Sequence, residues 1–222
     1  MSVATDSRKS ILSSVRTATK AVALGDEARR AAYAALPRPY VHVGQRSRRE
    51  TLDLLIERLR EYDAGVVETT PDGLVAAIAA QLKASGHSHF VVPPALPKEW
   101  LGGGFEFVAD NNLEDSEIEK AEGVVTEAFC AVADSGTIVL HHSQTEGRRI
   151  LTLLPDFHLC ILRSSQVVET LPEYFARCGQ APLLATTISG PSATADIEMT
   201  RIKGVHGPRF LEVILVNEEK AL

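Results

Sequence analysis

Two stretches near the C-terminus concentrate residue types that bind and react: ISGPSATADIE over 188–198 and GVHGP over 204–208. In the first, Ser189, Ser192 and Thr194 bring hydroxyls, Gly190 permits close backbone approach, and Pro191 fixes its own φ. A turn or helix start there would leave backbone N–H groups free to meet an anion. A helix terminus alone contributes about 0.3–1 kcal/mol, whereas micromolar binding needs about 8 kcal/mol, so other groups must converge. Arg148 and Arg149, in EGRR, are the cations suited to a carboxylate or phosphate. The bland alternative is that Ser192 and Thr194 cap a turn and the arginines are solvated. Asp196 and Glu198 share a face only on an extended segment. They could chelate a cation, form an acid/base pair, or neutralise Arg201 and Lys203, which is the usual case; no metal site is expected. His206 stands between Gly204 and Gly207-Pro208. It could donate to a substrate oxygen or shuttle a proton, or simply stiffen its turn by bonding a loop carbonyl.

A second group of candidates lies near the middle of the chain. Glu127, in GVVTEAF, follows a strand-like run, where a carboxylate can act as nucleophile or general base or can be structural. The loop that follows contributes Ser135, Gly136 and Thr137. Other chemistries leave no signature. There is no phosphate-binding G-x-x-x-x-G-K-[ST] loop, so LGGGFEF reads as a turn, and no G-x-S-x-G elbow. The three cysteines form no C-x-x-C pair and no disulfide framework, and Cys130 and Cys160 read as buried small hydrophobes. His87/His89 and His141/His142 read as surface or strand-end residues. A net charge of −6 and a pI near 5.7 argue against a nucleic-acid binder. The longest apolar runs are too short to span a bilayer and no signal peptide is evident, so a cytoplasmic protein is the simplest reading.

The elements that must position these residues follow from periodicity. Residues 6–35 read as helical with a break near Gly25-Asp26, and the prolines of LPRPYVHVG end the region; residues 1–40 are expected to form an N-terminal helical arm. Ser47 and Glu50 form a capping box ahead of Leu52, Leu55, Ile56 and Leu59 at helical spacing. A second helix is expected to open with Thr70 as N-cap and Pro71 at the first helical position, and to close on Gly86. GVVET, HFVVPP and FEFVAD read as strands alternating with helices, which predicts α/β units and a largely parallel sheet. GVVTEAFCAVADSGTIVLHH reads as strand segments close together, HLCILRSSQVV as another strand, and VVETLPEYFARCG as a helix. PLLATTISG and RFLEVILV are expected to complete a mixed sheet with helices on both faces.

Taken together, VTEAFCAVADSGTIVL, EGRR with LPDFHLCIL, ISGPSATADIE and GVHGPRFLEVILV resemble the lactate utilisation protein C family, which carries the LUD domain. The resemblance covers roughly residues 122–216 and makes 41–222 an LUD-type α/β domain. It implies a three-layer αβα fold similar to the NagB/RpiA/CoA-transferase-like superfamily, which includes formyltetrahydrofolate cyclo-ligase. It also implies a part in bacterial oxidation of L-lactate to pyruvate, beside two partners that carry iron–sulfur centres. Those partners' cysteine motifs are missing here, so the chain is expected to hold no cluster or other cofactor of its own. Three roles remain open. One is an accessory or ligand-binding subunit working with iron–sulfur partner subunits. Another is a small enzyme acting on a carboxylate, CoA thioester or nucleotide through Glu127, His206 and Arg148. The third is a purely structural domain.

Overall fold

A computed structural model describes residues 3–19, 25–179, 184–190 and 207–218. The chain divides into two compact units, Met1–Tyr40 and Val41–Leu222. The first holds α1 (Val3–Thr19) and α2 (Asp26–Ala34). Asp26 and Glu27 sit in the first turn of α2, where carboxylates complement the helix dipole. Arg38 folds back to close its other end, lying 4.8 Å from the Tyr33 ring centre and donating to the carbonyls of Tyr33 and Leu36.

In the second unit, α3 (Arg48–Glu61) starts at the expected capping box and buries Leu52, Leu55, Ile56 and Leu59. The strands and helices that follow are β1 (Gly65–Thr69), α4 (Leu74–Ser85), β2 (His89–Val92), β3 (Glu106–Ala109), α5 (Asp115–Ile118) and β4 (Gly123–Glu127). After them come β5 (Cys130–Val132), β6 (Thr137–Leu140), β7 (Phe157–Arg163), β8 (Val167–Val168), α6 (Leu171–Cys178), β9 (Thr186–Ile188) and β10 (Phe210–Val216). α4 ends on left-handed Gly86 as expected, but it begins later than the sequence suggested. Thr70 and Pro71 make a separate turn, with Gly73 N–H donating to the Thr70 carbonyl at 3.1 Å and Leu74 N–H to the Pro71 carbonyl at 3.3 Å. Thr70 therefore caps that turn, and Gly73 precedes the helix.

The main sheet has six parallel strands in the order β1-β10-β7-β4-β2-β3. Its central strands are covered on both faces, which explains runs such as Leu159–Leu162 with no polar alternation. On one face α4 sets Leu74, Ile78 and Leu82 against Phe90, Leu159, Ile161 and Ile214. On the other, α3 packs over Cys160, Leu162, Val213 and Leu215, while α5 lies over Val91 and Val124. This is the expected α/β arrangement of helices on both sides of a mostly parallel sheet.

A second sheet departs from that expectation. It has four strands in the order β8-β5-β6-β9, and its inner face joins the α3 core through Ala131, Ile138 and Leu140. α6 covers its outer face, setting Tyr174 against Cys130, Val132 and Val139. Of the two runs expected to complete one sheet, only RFLEVILV enters the main sheet. The TTI of PLLATTISG pairs antiparallel with β6 instead. The antiparallel β5–β6 hairpin exposes a ladder on its β6 side, and β9 takes that place.

Candidate functional site

Pairing of β9 with β6 sets Ile188 opposite Ile138, and this register carries Ser189 onto Thr137. Thr137 Oγ1 lies 2.6 Å from Ser189 Oγ and 2.8 Å from Ser135 Oγ, so the buried threonine links two exposed serines. Gly136 forms the hairpin tip at φ +61°, and a Cβ there would lie 2.6 Å from the Arg58 Cβ of α3. Tyr62, just past α3, donates its hydroxyl to the Gly136 carbonyl at 2.8 Å. Burial raises its phenol, so it stays a donor. Gly190 rests against the same ring, since its Cβ would come 3.0 Å from Tyr62 Cδ1. Five expected site residues, Ser135, Gly136, Thr137, Ser189 and Gly190, are thus brought together from segments more than fifty residues apart.

The carboxyl edge of the main sheet holds a different set. Glu127 ends β4, receives Arg163 at 3.2 Å, and gives its N–H to the Thr145 carbonyl at 3.1 Å. Arg163 also reaches Glu218 at 3.7 Å, so one guanidinium lies between two carboxylates. Arg148 is committed elsewhere. Its Nε and a terminal nitrogen meet the Asp110 oxygens at 2.7 and 2.8 Å, and the Leu113 carbonyl accepts a third bond at 2.7 Å. Burial would raise the Asp110 carboxyl, but these bonds and the Leu113 N–H outweigh it and hold the group below its usual range. Arg149 turns inward to the Thr152 carbonyl at 2.8 Å and Thr152 Oγ1 at 3.1 Å, and burial lowers its guanidinium.

Other polar groups were not expected as site residues, although His141 and His142 do follow the end of β6, as their strand-end reading has it. Glu146 is buried and accepts from the His141 N–H and, at 2.7 Å, from Ser143 Oγ. His142, at φ +57°, has Nδ1 2.9 Å from the Gly147 carbonyl and Nε2 2.9 Å from Thr186 Oγ1. A carbonyl cannot donate, so Nδ1 carries a proton, and Nε2 shares a hydrogen bond with the Thr186 hydroxyl. His158 is buried in β7, with Nε2 2.8 Å from Thr126 Oγ1. Its Nδ1 meets no partner among the described residues. Burial first, and Arg149 second, lower its imidazole to about 4. The signal available in the sequence was one histidine inside an otherwise apolar strand, FHLCIL, a position where a polar group is costly unless bonded.

Gly207 marks where the chain re-enters the described residues. A Cβ there would lie 3.3 Å from the Thr152 carbonyl, and Arg209 beyond it grips Asp156 at 2.6 and 2.5 Å. Pro191, Ser192, Thr194, Asp196, Glu198, Gly204 and His206 lie outside the described residues. Among the described residues, no group of three or more His, Cys, Asp or Glu side chains comes together as a metal site, and no helix is long and apolar enough to cross a membrane.

A parallel six-stranded α/β sheet with an appended four-stranded sheet, whose hairpin carries the hydroxyl cluster, defines an α/β domain of the LUD type, and the LUD domain family model matches residues 115–216. The chain is 40% identical over 189 residues to Lactate utilization protein C of Deinococcus radiodurans, covering 82% of this chain and 86% of that protein. The protein of the same name from Bacillus subtilis is 30% identical over 175 residues, covering 69% and 72%. Among solved structures, a DUF162 family protein from Deinococcus radiodurans matches with a TM-score of 0.65 and 34% identity, over 78% of this chain and 99% of that one. The chain belongs to the lactate utilization protein C family.

Proposed function

We propose that this chain serves lactate utilisation as an accessory, ligand-binding subunit that works with iron–sulfur partner proteins in oxidising lactate to pyruvate. The observation that carries the ligand-binding part is the meeting of Ser135, Thr137 and Ser189 in one ladder beside Gly190. Hydroxyls and a close-approach glycine suit a small carboxylate, and His206 and the residues after Gly190 would complete such a site. Arg148 is held by Asp110, so a ligand anion recruiting it must compete with a bidentate partner. The need for redox partners rests on cysteine number. Three cysteines are fewer than the four thiolates of a typical cluster. Two of them, Cys130 and Cys160, are buried, and burial pushes their thiols up to about 11 and about 12.

A second reading, a small enzyme acting on a carboxylate, CoA thioester or nucleotide through Glu127, is favoured by the place of that residue. It ends a central parallel strand, at the sheet edge where α/β proteins commonly bind ligands. One experiment addresses both readings: thermal unfolding with lactate, pyruvate, CoA and ATP, paired with affinity capture from the native host. A ligand at a hundred times its Kd adds about 2.7 kcal/mol. A lactate or pyruvate shift together with recovered iron–sulfur proteins supports the subunit reading. Turnover of a thioester or nucleotide lost in Glu127→Gln supports the second. No shift and no partner refutes the first.

A further inference from the structure

We propose that Cys178 is a redox-reactive thiol, with His141 as its proton acceptor and a hydroperoxide as its electrophile. Cys178 ends α6 half-exposed, and its sulfur lies 3.9 Å from His141 Nε2. That imidazole is fixed from several sides. It stacks on Phe129 with centroids 3.7 Å apart and planes 17° from parallel. Its Nε2 also lies 3.0 Å from the Tyr174 hydroxyl, and its backbone N–H is held by Glu146. A ring held this way keeps Nε2 beside the sulfur without further ordering. Burial outweighs the opposing effect of Glu146 and lowers the imidazole, so the ring rests neutral and the cation formed in the step is short-lived, its proton passing on to the departing oxygen.

The other two thiols give the contrast. Cys130 is buried and donates to the Ala131 carbonyl, and Cys160 is wholly buried in the main sheet. Neither is open to a solute in the folded protein. Tyr174 and the Phe129–His141 stack crowd the Cys178 sulfur, which favours a compact electrophile over a bulky disulfide.

In the step, the Cys178 S–H proton passes to His141 Nε2 and the thiolate attacks one peroxide oxygen, forming an S–O bond as the O–O bond breaks. The departing alkoxide, or hydroxide from hydrogen peroxide, takes the proton back from His141. Sulfur is oxidised by two electrons to a sulfenic acid, and the hydroperoxide is reduced to an alcohol or water.

The test exposes the full chain to equimolar hydrogen peroxide, traps sulfenic acid with dimedone, and locates it by peptide mass spectrometry, in native buffer and in urea. Cys178 is expected to react about tenfold faster in the native protein than in urea, because only the folded chain holds a base, His141 Nε2, beside the sulfur. Cys130 and Cys160 should be protected until the chain unfolds. His141→Gln, checked for retained fold by circular dichroism, should bring the native Cys178 rate down to the unfolded rate or below. A native rate no greater than the unfolded one overturns the proposal, as does a folded His141→Gln protein reacting like wild type. Should the variant fail to fold, the native-against-urea comparison still decides.

Discussion

Replacing His158 by glutamine should flatten the acid limb of the stability curve, and the size of the effect follows from the position of the ring. The imidazole is buried in β7, and its ordinary value of 6.5 falls to about 4 because burial, helped by Arg149, disfavours the cation. Above about pH 6.5 neither the folded nor the unfolded chain carries this proton, so the ring sets no pH dependence there. Below it the unfolded chain binds the proton while the folded chain does not, so stability falls as the solution is acidified. The loss amounts to about 2 kcal/mol at pH 5 and about 3 kcal/mol at pH 4. Urea unfolding of both proteins at steps from about pH 7 to about pH 4.5 isolates this part, because other titrating groups are common to the two. The wild-type minus variant difference should shrink towards acid along that curve. A variant that keeps the full wild-type slope across the window would refute the assignment of a buried neutral imidazole at this position.

Other contacts in the fold carry expectations of their own. Thr137→Val and Ser189→Ala should be non-additive, with a coupling of about 0.5–2 kcal/mol in a double-mutant cycle of urea midpoints, because each removes the other's partner; strict additivity would mean the ladder is not formed in solution. Arg148→Ala leaves the buried Asp110 carboxylate without its guanidinium and should cost about 1–3 kcal/mol, an unchanged midpoint being the contrary result. Leu55→Ala, at a wholly buried position under the second sheet, should cost about 2–5 kcal/mol by calorimetry or urea unfolding. Tyr62→Phe should cost about 1 kcal/mol through its bond to the Gly136 carbonyl, and a neutral result would show that water replaces that bond freely.

Local chemistry was the legible part of the chain. The Ser47/Glu50 box and left-handed Gly86 could be read directly, because each depends on residues within a turn of one another. The start of α4 was misread for a local reason too: Thr70 and Pro71 suit a helix entry and a separate turn equally well, and the turn was taken. Non-local pairing was not legible. Nothing within Thr186–Ile188 says that its partner is β6 rather than a strand of the main sheet, since a short β-rich run fits either. The same limit applied at the site. Ser135, Thr137 and Ser189 were recognisable as candidates, but their contact depends on that pairing. Arg148 resembled a free cation in sequence, and its partner Asp110 lies thirty-eight residues away. The buried pair of Thr126 and His158 bridges two neighbouring strands whose adjacency only the sheet order reveals.

Protein engineers usually graft tags or reporter loops onto hairpin tips, where an extra residue meets only solvent. The Gly136 tip is a poor choice, because a single added methyl would already collide with the Arg58 side chain. The turn at Leu101–Phe105 is the better splice point: Gly102 and Gly104 are exposed and face open space. A fluorescent or affinity module inserted there should leave both sheets intact, while the same module at Gly136 should prise the second sheet away from α3.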